Sequence, residues 1–122
     1  MALGVRPLQA GKEPDIAVDE FGKVHPGAGG MSVYASLRAM PARMVPKRLV
    51  PIIPSAAGSN NLRVWAMGEG PFTDGLIAPH LRFRVDPEDP MHGYIEPDTI
   101  MTLAQYEAAL VATQLMWVVA EE

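Results

Sequence analysis

Proline and glycine limit what this chain can fold into more than any other feature of its sequence. The 122 residues include 12 prolines and 11 glycines, and all of them lie before residue 98. Proline removes a backbone donor and breaks helix interiors, so this part is predicted to form short strands and long ordered loops. Prolines at 41, 46, 51 and 54 leave no room for a stable helix. We expect that segment to run extended, or as single turns, with LVPII packed on the body.

Four short segments are predicted to be strands from their period or apolar content. In LRFRV, apolar residues alternate with Arg82 and Arg84, which indicates one buried face and one solvent face, as in an antiparallel sheet. The stretch VDPEDPMHG is predicted to be a turn-rich loop. The strand segments are 31–37, 62–67, 81–85 and 93–97.

The carboxyl-terminal part predicts a helix over 103–119. Thr102 followed by Gln105 is a capping-box arrangement, which satisfies amide donors at a helix start. Apolar residues then recur at steps of three and four along one stripe. We expect this helix to lie across the sheet and to bury Tyr106, Leu110 and Trp117.

These elements predict one α+β domain with a small, mostly antiparallel sheet and a carboxyl-terminal amphipathic helix packed on it. Residues 1–20 are expected to be an irregular amino-terminal segment, and residues 22–101 to hold the strands and loops. At 122 residues the chain is long enough to bury a core of its own.

Composition excludes several classes of function. The net charge is −4, and the densest basic stretch, residues 38–48, has no interleaved aromatic residues to stack bases. No nucleic-acid partner is therefore expected. The absence of cysteine excludes disulfides, thiolate metal sites and a thiol nucleophile. We expect no signal peptide and no membrane span, and hence a soluble protein that suits the cytoplasm or delivery across membranes by secretion.

Few residues are suited to chemistry. The histidines at 25, 80 and 92 have no metal-ligand spacing, so no metal is predicted. His92 lies near Glu96 and Asp98, which makes a small candidate cluster. Ser32 follows the glycines at 27–30, but GGMSV is not a Gly-x-Ser-x-Gly elbow, so its hydroxyl is better suited to holding a ligand. The glycine run is equally consistent with a plain turn that needs no ligand.

Two stretches, KVHPGAGGMSVY and LRFRVDPEDPMHGYIEPDTIMTLAQYEAAL, together resemble small cytotoxic effectors of the bacterial type VI secretion system that have an ADP-ribosyltransferase-like fold. In those toxins a turn with Pro and Gly-Gly precedes a strand that carries Ser, Val and an aromatic residue. A His-Tyr-like strand, an Ile-x-Pro stretch followed by Met, and a final helix follow. The matching residues here are Pro26, Gly29, Gly30, Ser32, Val33, Tyr34, His92, Tyr94, Pro97, Met101, Tyr106 and Leu110.

The resemblance implies a bent sheet around a cleft for nicotinamide adenine dinucleotide (NAD), and a toxin acting on NAD in the bacterial cytoplasm. The activity would be that of an ADP-ribosyltransferase or an NAD glycohydrolase, and a cognate immunity protein would be a partner. In this interpretation Ser32 orients the nicotinamide ribose, His92 holds the adenine-side ribose or phosphate, and Glu96 stabilises the oxocarbenium-like charge. The implied NAD-binding residues are Arg6, Gly29, Gly30, Ser32, Tyr34 and Tyr94.

An alternative of another class is a non-catalytic interaction module. Residues 40–54 are rich in proline and methionine. They could present Met40, Met44 and Val45 to a partner protein.

Overall fold

Two antiparallel sheets and one α-helix make up the fold in the computed structural model, which describes residues 2–5, 16–61, 63–69 and 72–121. The strands of the large sheet are β1 (Ala2–Val5), β4 (Met31–Tyr34), β5 (Trp65–Glu69), β6 (Gly75–Ala78), β7 (Leu81–Asp86), β8 (Asp89–Pro97) and β10 (Val118–Val119). Their order is β10-β5-β1-β4-β8-β7-β6. The small sheet has β2 (Ile16–Val18), β3 (Lys23–Gly29) and β9 (Met101–Thr102), in the order β2-β3-β9. The prediction of an α+β fold with a mostly antiparallel sheet and a carboxyl-terminal helix is confirmed.

The helix α1 (Leu103–Thr113) begins at the predicted capping box. The hydroxyl of Thr102 accepts a hydrogen bond from Gln105 N at 3.1 Å, and Gln105 Oε1 accepts one from Thr102 N at 2.9 Å. The side chains that α1 buries fully against the sheet include Tyr106 and Leu110, as expected.

The helix ends earlier than residue 119. A 3₁₀ turn at Gln114–Met116 follows α1, and the chain then pairs as β10 with β5. Trp117 leaves the helix and lies beside Trp65, with ring centres 6.5 Å apart. Its indole N–H donates to the hydroxyl of Thr113 at 3.1 Å. Pairing of two valines with the free edge of β5 therefore replaces the last helical turn.

The core lies between α1 and the side of the large sheet that α1 covers. Tyr106 joins helix and sheet, because its hydroxyl accepts from Met31 N at 2.9 Å and donates to the carbonyl of Ile95 at 2.5 Å. The buried residues of this cluster are Ile16, Val24, Met31, Val33, Met67, Leu81, Phe83, Ile95, Met101, Tyr106 and Leu110.

The proline-spaced segment forms three single 3₁₀ turns, at Leu37–Ala39, Ala42–Met44 and Lys47–Leu49. The absence of an α-helix over residues 40–54 agrees with the prediction. A second apolar cluster holds this segment against the end of β4, and its buried residues are Tyr34, Leu37, Met40, Val45, Leu49, Ile53, Ala56 and Val64.

The loop predicted for VDPEDPMHG is wrong, because β7 and β8 form a tight hairpin through it. Asp86 Oδ1 accepts from Glu88 N and Asp89 Oδ1 accepts from Met91 N, each at 2.9 Å. The two aspartates thus satisfy donors that the turn leaves without a strand partner, and β8 starts at Asp89 despite Pro90.

Strands β1 and β2 lie within residues 1–20, where the sequence indicates an irregular segment. They are four and three residues long, too short to show a period. Over the part of the chain that the structure describes, there is no helix of the length and apolar character that crossing a membrane would require.

Candidate functional site

Strands β4 and β8 bring several predicted site residues to one face of the large sheet, opposite α1. Paired residues of antiparallel strands point to the same face, as do residues two positions apart. Ser32 pairs with Tyr94, and Tyr34 pairs with His92. Ser32 and His92, sixty residues apart in the chain, therefore share a face and are two register positions apart.

Strand β7 extends this face with two arginines. Arg82 pairs with Glu96 and Arg84 with Tyr94, and the guanidinium carbon of Arg84 lies 5.0 Å from the centre of the Tyr94 ring. The arginine side chains are 41% and 25% exposed, in line with the solvent face that the alternation of LRFRV predicts. The residues that we call the polar face are Ser32, Tyr34, Arg82, Arg84, His92, Tyr94 and Glu96.

Glu96 joins the parts of the polar face, although its side chain is entirely buried. Its Oε1 accepts a hydrogen bond from Arg82 Nε at 2.6 Å, and its Oε2 accepts from Arg84 Nε at 3.2 Å and from Gly27 N at 2.8 Å. A buried carboxylate is tolerated when opposite charge and hydrogen bonds replace water. The resemblance implies that Glu96 contacts the ribosyl cation directly. In the structure both oxygens are engaged, and the carboxylate holds two guanidiniums instead.

The glycine-rich stretch is strand β3, and it brings Gly27 to Glu96. Gly27 and Gly29 have φ angles of 84° and 97°, a region that favours glycine because it has no Cβ. Gly30 lies against β8, where an added Cβ would stand 2.3 Å from the carbonyl oxygen of Ile95. Gly29 and Gly30 are expected to bind NAD. In the structure they allow the chain to run from β3 of the small sheet directly into β4 of the large sheet.

His92 lies between two tyrosine rings. Its ring centre is 4.9 Å from that of Tyr34, with the planes 26° apart, and 4.7 Å from that of Tyr94, with the planes at 67°. His92 Nδ1 is 2.8 Å from Asp86 Oδ2. Assigned from this contact, the neutral ring carries its proton on Nδ1 and its lone pair on Nε2. Nε2 is buried and has no hydrogen-bond partner within the described ranges, so a ligand hydroxyl reaches it only after a neighbouring side chain moves.

Asp86 is a residue of this site that sequence reasoning missed. Its hydrogen bonds from Glu88 N and from the His92 ring hold the pKa of its carboxyl below the ordinary value of 3.8. A signal was present, because Asp86 and His92 are six residues apart across a hairpin. Asp19 and His25 have the same spacing across the β2–β3 hairpin, with Oδ2 and Nε2 2.7 Å apart.

The predicted site residues differ in exposure. Ser32 and Tyr34 are each 9% exposed, and the Tyr34 hydroxyl lies 3.9 Å from the sulfur of Met44 in the proline-spaced segment. Tyr94 and His92 are partly buried. Arg6 lies outside the described residues. The accessible part of the polar face is therefore formed mainly by the two arginines, with Tyr94 and His92 beside them.

A cavity of about 600 Å³ lies elsewhere, between α1 and the β6–β7 turn. Its walls are mostly alanine, methionine and isoleucine, and no predicted site residue lines it. Two of its polar residues are committed to the fold, since Gln105 caps α1 and Thr113 binds Trp117. The other polar residues in its walls are His80 and Thr99, and no arginine or lysine lines it.

Within residues 16–61, 63–69 and 72–121, no group of three histidines or carboxylates is placed to hold a metal ion. The chain matches no family model, no curated protein and no solved structure.

Proposed function

We propose that this protein is an ADP-ribosyltransferase-like toxin domain that acts on NAD in the bacterial cytoplasm. The observation that carries the proposal is that Ser32, Tyr34, His92 and Tyr94, from two distant parts of the sequence, lie on one face of β4 and β8. These are residues of the resemblance to small type VI secretion effectors. Aromatic rings and an oriented imidazole are groups that bind the bases and sugars of nucleotides.

The reaction breaks the bond between the ribose C1′ and the nicotinamide nitrogen. The bonding electron pair leaves with nicotinamide, and an acceptor or a water molecule adds to the oxocarbenium-like ribose and loses a proton. Asp86 fixes the tautomer of His92. The buried Nε2 of that ring accepts a hydrogen bond from a ribose hydroxyl once a neighbouring side chain moves aside. Tyr94 presents its ring to the ligand. Ser32 lies deeper and orients the sugar, and Glu96 acts through the arginines rather than on the ribose.

Purified protein incubated with NAD tests the proposal by release of free nicotinamide. Wild type is expected to release it, and Ser32→Ala and His92→Ala are expected to lower the rate roughly tenfold or more, because misplaced binding groups reduce turnover steeply. His25→Ala is the matched control, since it removes a histidine from the same kind of Asp–His pair in the small sheet. It should leave the rate unchanged.

Expression in bacteria gives a second readout. Wild type should slow growth and deplete cellular NAD, and His92→Ala should do neither at equal protein level and equal thermal stability. If all strains grow equally and keep their NAD, and if purified wild type releases no nicotinamide, the proposal fails.

The alternative, a module that binds a partner through residues 40–54, has less support. Met40 is 6% exposed and Val45 is fully buried, and both belong to the apolar cluster under this segment. These two side chains already pack inside the fold, so presenting them to a partner would require the segment to detach.

A further inference from the structure

We infer that Arg82 and Arg84 form a binding site for the diphosphate of a nucleotide, an inference that rests in part on the proposed function. The resemblance places a basic residue near the first strand, where Arg6 is the candidate. The arginine pair lies on β7 instead, on the same face as His92 and Tyr94.

The buried carboxylate of Glu96 fixes the orientation of the Arg82 and Arg84 side chains. The fully buried Glu96 binds each arginine through Nε, which uses one of the five N–H donors of each guanidinium. Arg84 also packs on the Tyr94 ring. Neither guanidinium has another hydrogen-bond partner within the described ranges. The remaining donors belong to side chains that are 41% and 25% exposed, so they are available to a ligand.

Anchored arginines suit phosphate groups for two reasons. The planar fork matches the spacing of phosphate oxygens and binds them in pairs. A side chain already held by a buried carboxylate also loses less conformational freedom on binding than a free one. Two guanidiniums share the single carboxylate of Glu96. Two further carboxylates near β7 have partners of their own: Asp86 is engaged by His92 and by Glu88 N, and Asp74 accepts from Val85 N.

The two arginines are adjacent to the tyrosine and histidine of the polar face. Arg84 is paired with Tyr94, and Tyr94 is in ring contact with His92. A diphosphate at the arginines places an attached ribose over the part of the polar face that holds Tyr94 and His92. The site therefore favours ligands that join a diphosphate to a sugar over nucleosides that lack phosphate.

The first test uses the wild-type protein and follows the Nε–Hε signals of its arginines by ¹⁵N NMR. ADP-ribose and inorganic pyrophosphate should shift the signals of Arg82 and Arg84, and adenosine should leave them in place. The signal of Arg43, on the proline-spaced segment, should not respond. Unchanged Arg82 and Arg84 signals at saturating ADP-ribose would overturn the inference.

The second test uses Arg82→Lys and Arg84→Lys, which keep a positive charge beside Glu96 and so preserve the fold, but lack the fork. Each is expected to weaken ADP-ribose binding, measured by calorimetry, by about tenfold or more. The control Arg43→Lys should bind as wild type does. If the lysine variants bind ADP-ribose with wild-type affinity while nicotinamide is still released, this inference fails and the proposed function stands. If pyrophosphate and ADP-ribose bind at the arginines but no nicotinamide is released, the site stands and the NAD-cleaving function fails.

Discussion

Gly30 passes so close to Ile95 that no side chain fits between the two strands. A Cβ on residue 30 would lie 2.3 Å from the carbonyl oxygen of Ile95 and 2.9 Å from its carbonyl carbon. The neighbour that requires the glycine is therefore the backbone of β8. This contact sets the position of β3, from which Gly27 N reaches the buried carboxylate of Glu96 at 2.8 Å. The close approach at Gly30 thus helps to place Gly27 next to the carboxylate of Glu96.

Gly30→Ala is expected to lower the free energy of unfolding by about 2 kcal/mol or more, because backbone atoms of β8 would have to move. Chemical denaturation measures the change. Gly75→Ala is the matched control: Gly30 and Gly75 have φ angles of 159° and 157°, but a Cβ at residue 75 meets nothing within 4 Å. It should cost less than Gly30→Ala, because it adds the strain of the same φ angle without the contact with backbone atoms. Equal losses in the two variants would contradict the role of crowding.

Tyr106→Phe is expected to cost about 2 kcal/mol of stability, because it leaves Met31 N–H and the carbonyl of Ile95 buried without their common partner. Amide hydrogen exchange provides a local readout, and the Met31 amide should exchange faster. Tyr106→Leu, which also removes the ring, should lose more through the cavity that it leaves. A Phe variant as stable as wild type, with Met31 still protected, would contradict this account.

Removal of both arginines should destabilise the fold, and removal of the Glu96 charge in the same chain should restore part of that stability. Arg82→Met with Arg84→Met leaves Glu96 buried and uncompensated, at an expected cost of roughly 3 kcal/mol. Adding Glu96→Gln to that pair should recover part of the loss, since the amide oxygen can still accept from Gly27 N. The three unfolding free energies, from urea titration, form the test. If the triple variant is the least stable, Glu96 is not the buried charge that the arginines neutralise.

Local signals explain which elements the sequence predicted. The start of α1 was predictable because Thr102 and Gln105 are three residues apart and make the cap between themselves. The end of α1 was not, because it depends on pairing of β10 with β5. Strand β3 was also missed, since its glycines show no alternation and its order comes from β2 and β9 on either side.

For the polar face, too, local patterns were visible in the sequence and long-range contacts were not. The alternation of LRFRV placed Arg82 and Arg84 on the solvent face, and that signal was available in the sequence. The contact of Gly27 N with Glu96 joins residues 69 positions apart, which no local pattern reveals. The role of Glu96 as an anchor for arginines therefore became clear only from the fold.

Asp86→Asn should change how stability depends on pH. The pKa of Asp86 is lowered in the fold from 3.8, first by the hydrogen bond from Glu88 N and then by that from His92. The unfolded chain therefore binds this proton more readily than the native state. The stabilisation is complete above about pH 4 and is lost as the pH falls through the lowered pKa. Urea titrations between about pH 2 and pH 7 should show Asp86→Asn less stable at neutral pH, with a shallower decline in acid. In a His92→Gln background the effect should shrink but persist, because the bond from Glu88 remains. Parallel pH profiles for wild type and Asp86→Asn would show that this carboxylate does not lose its stabilising contacts on protonation.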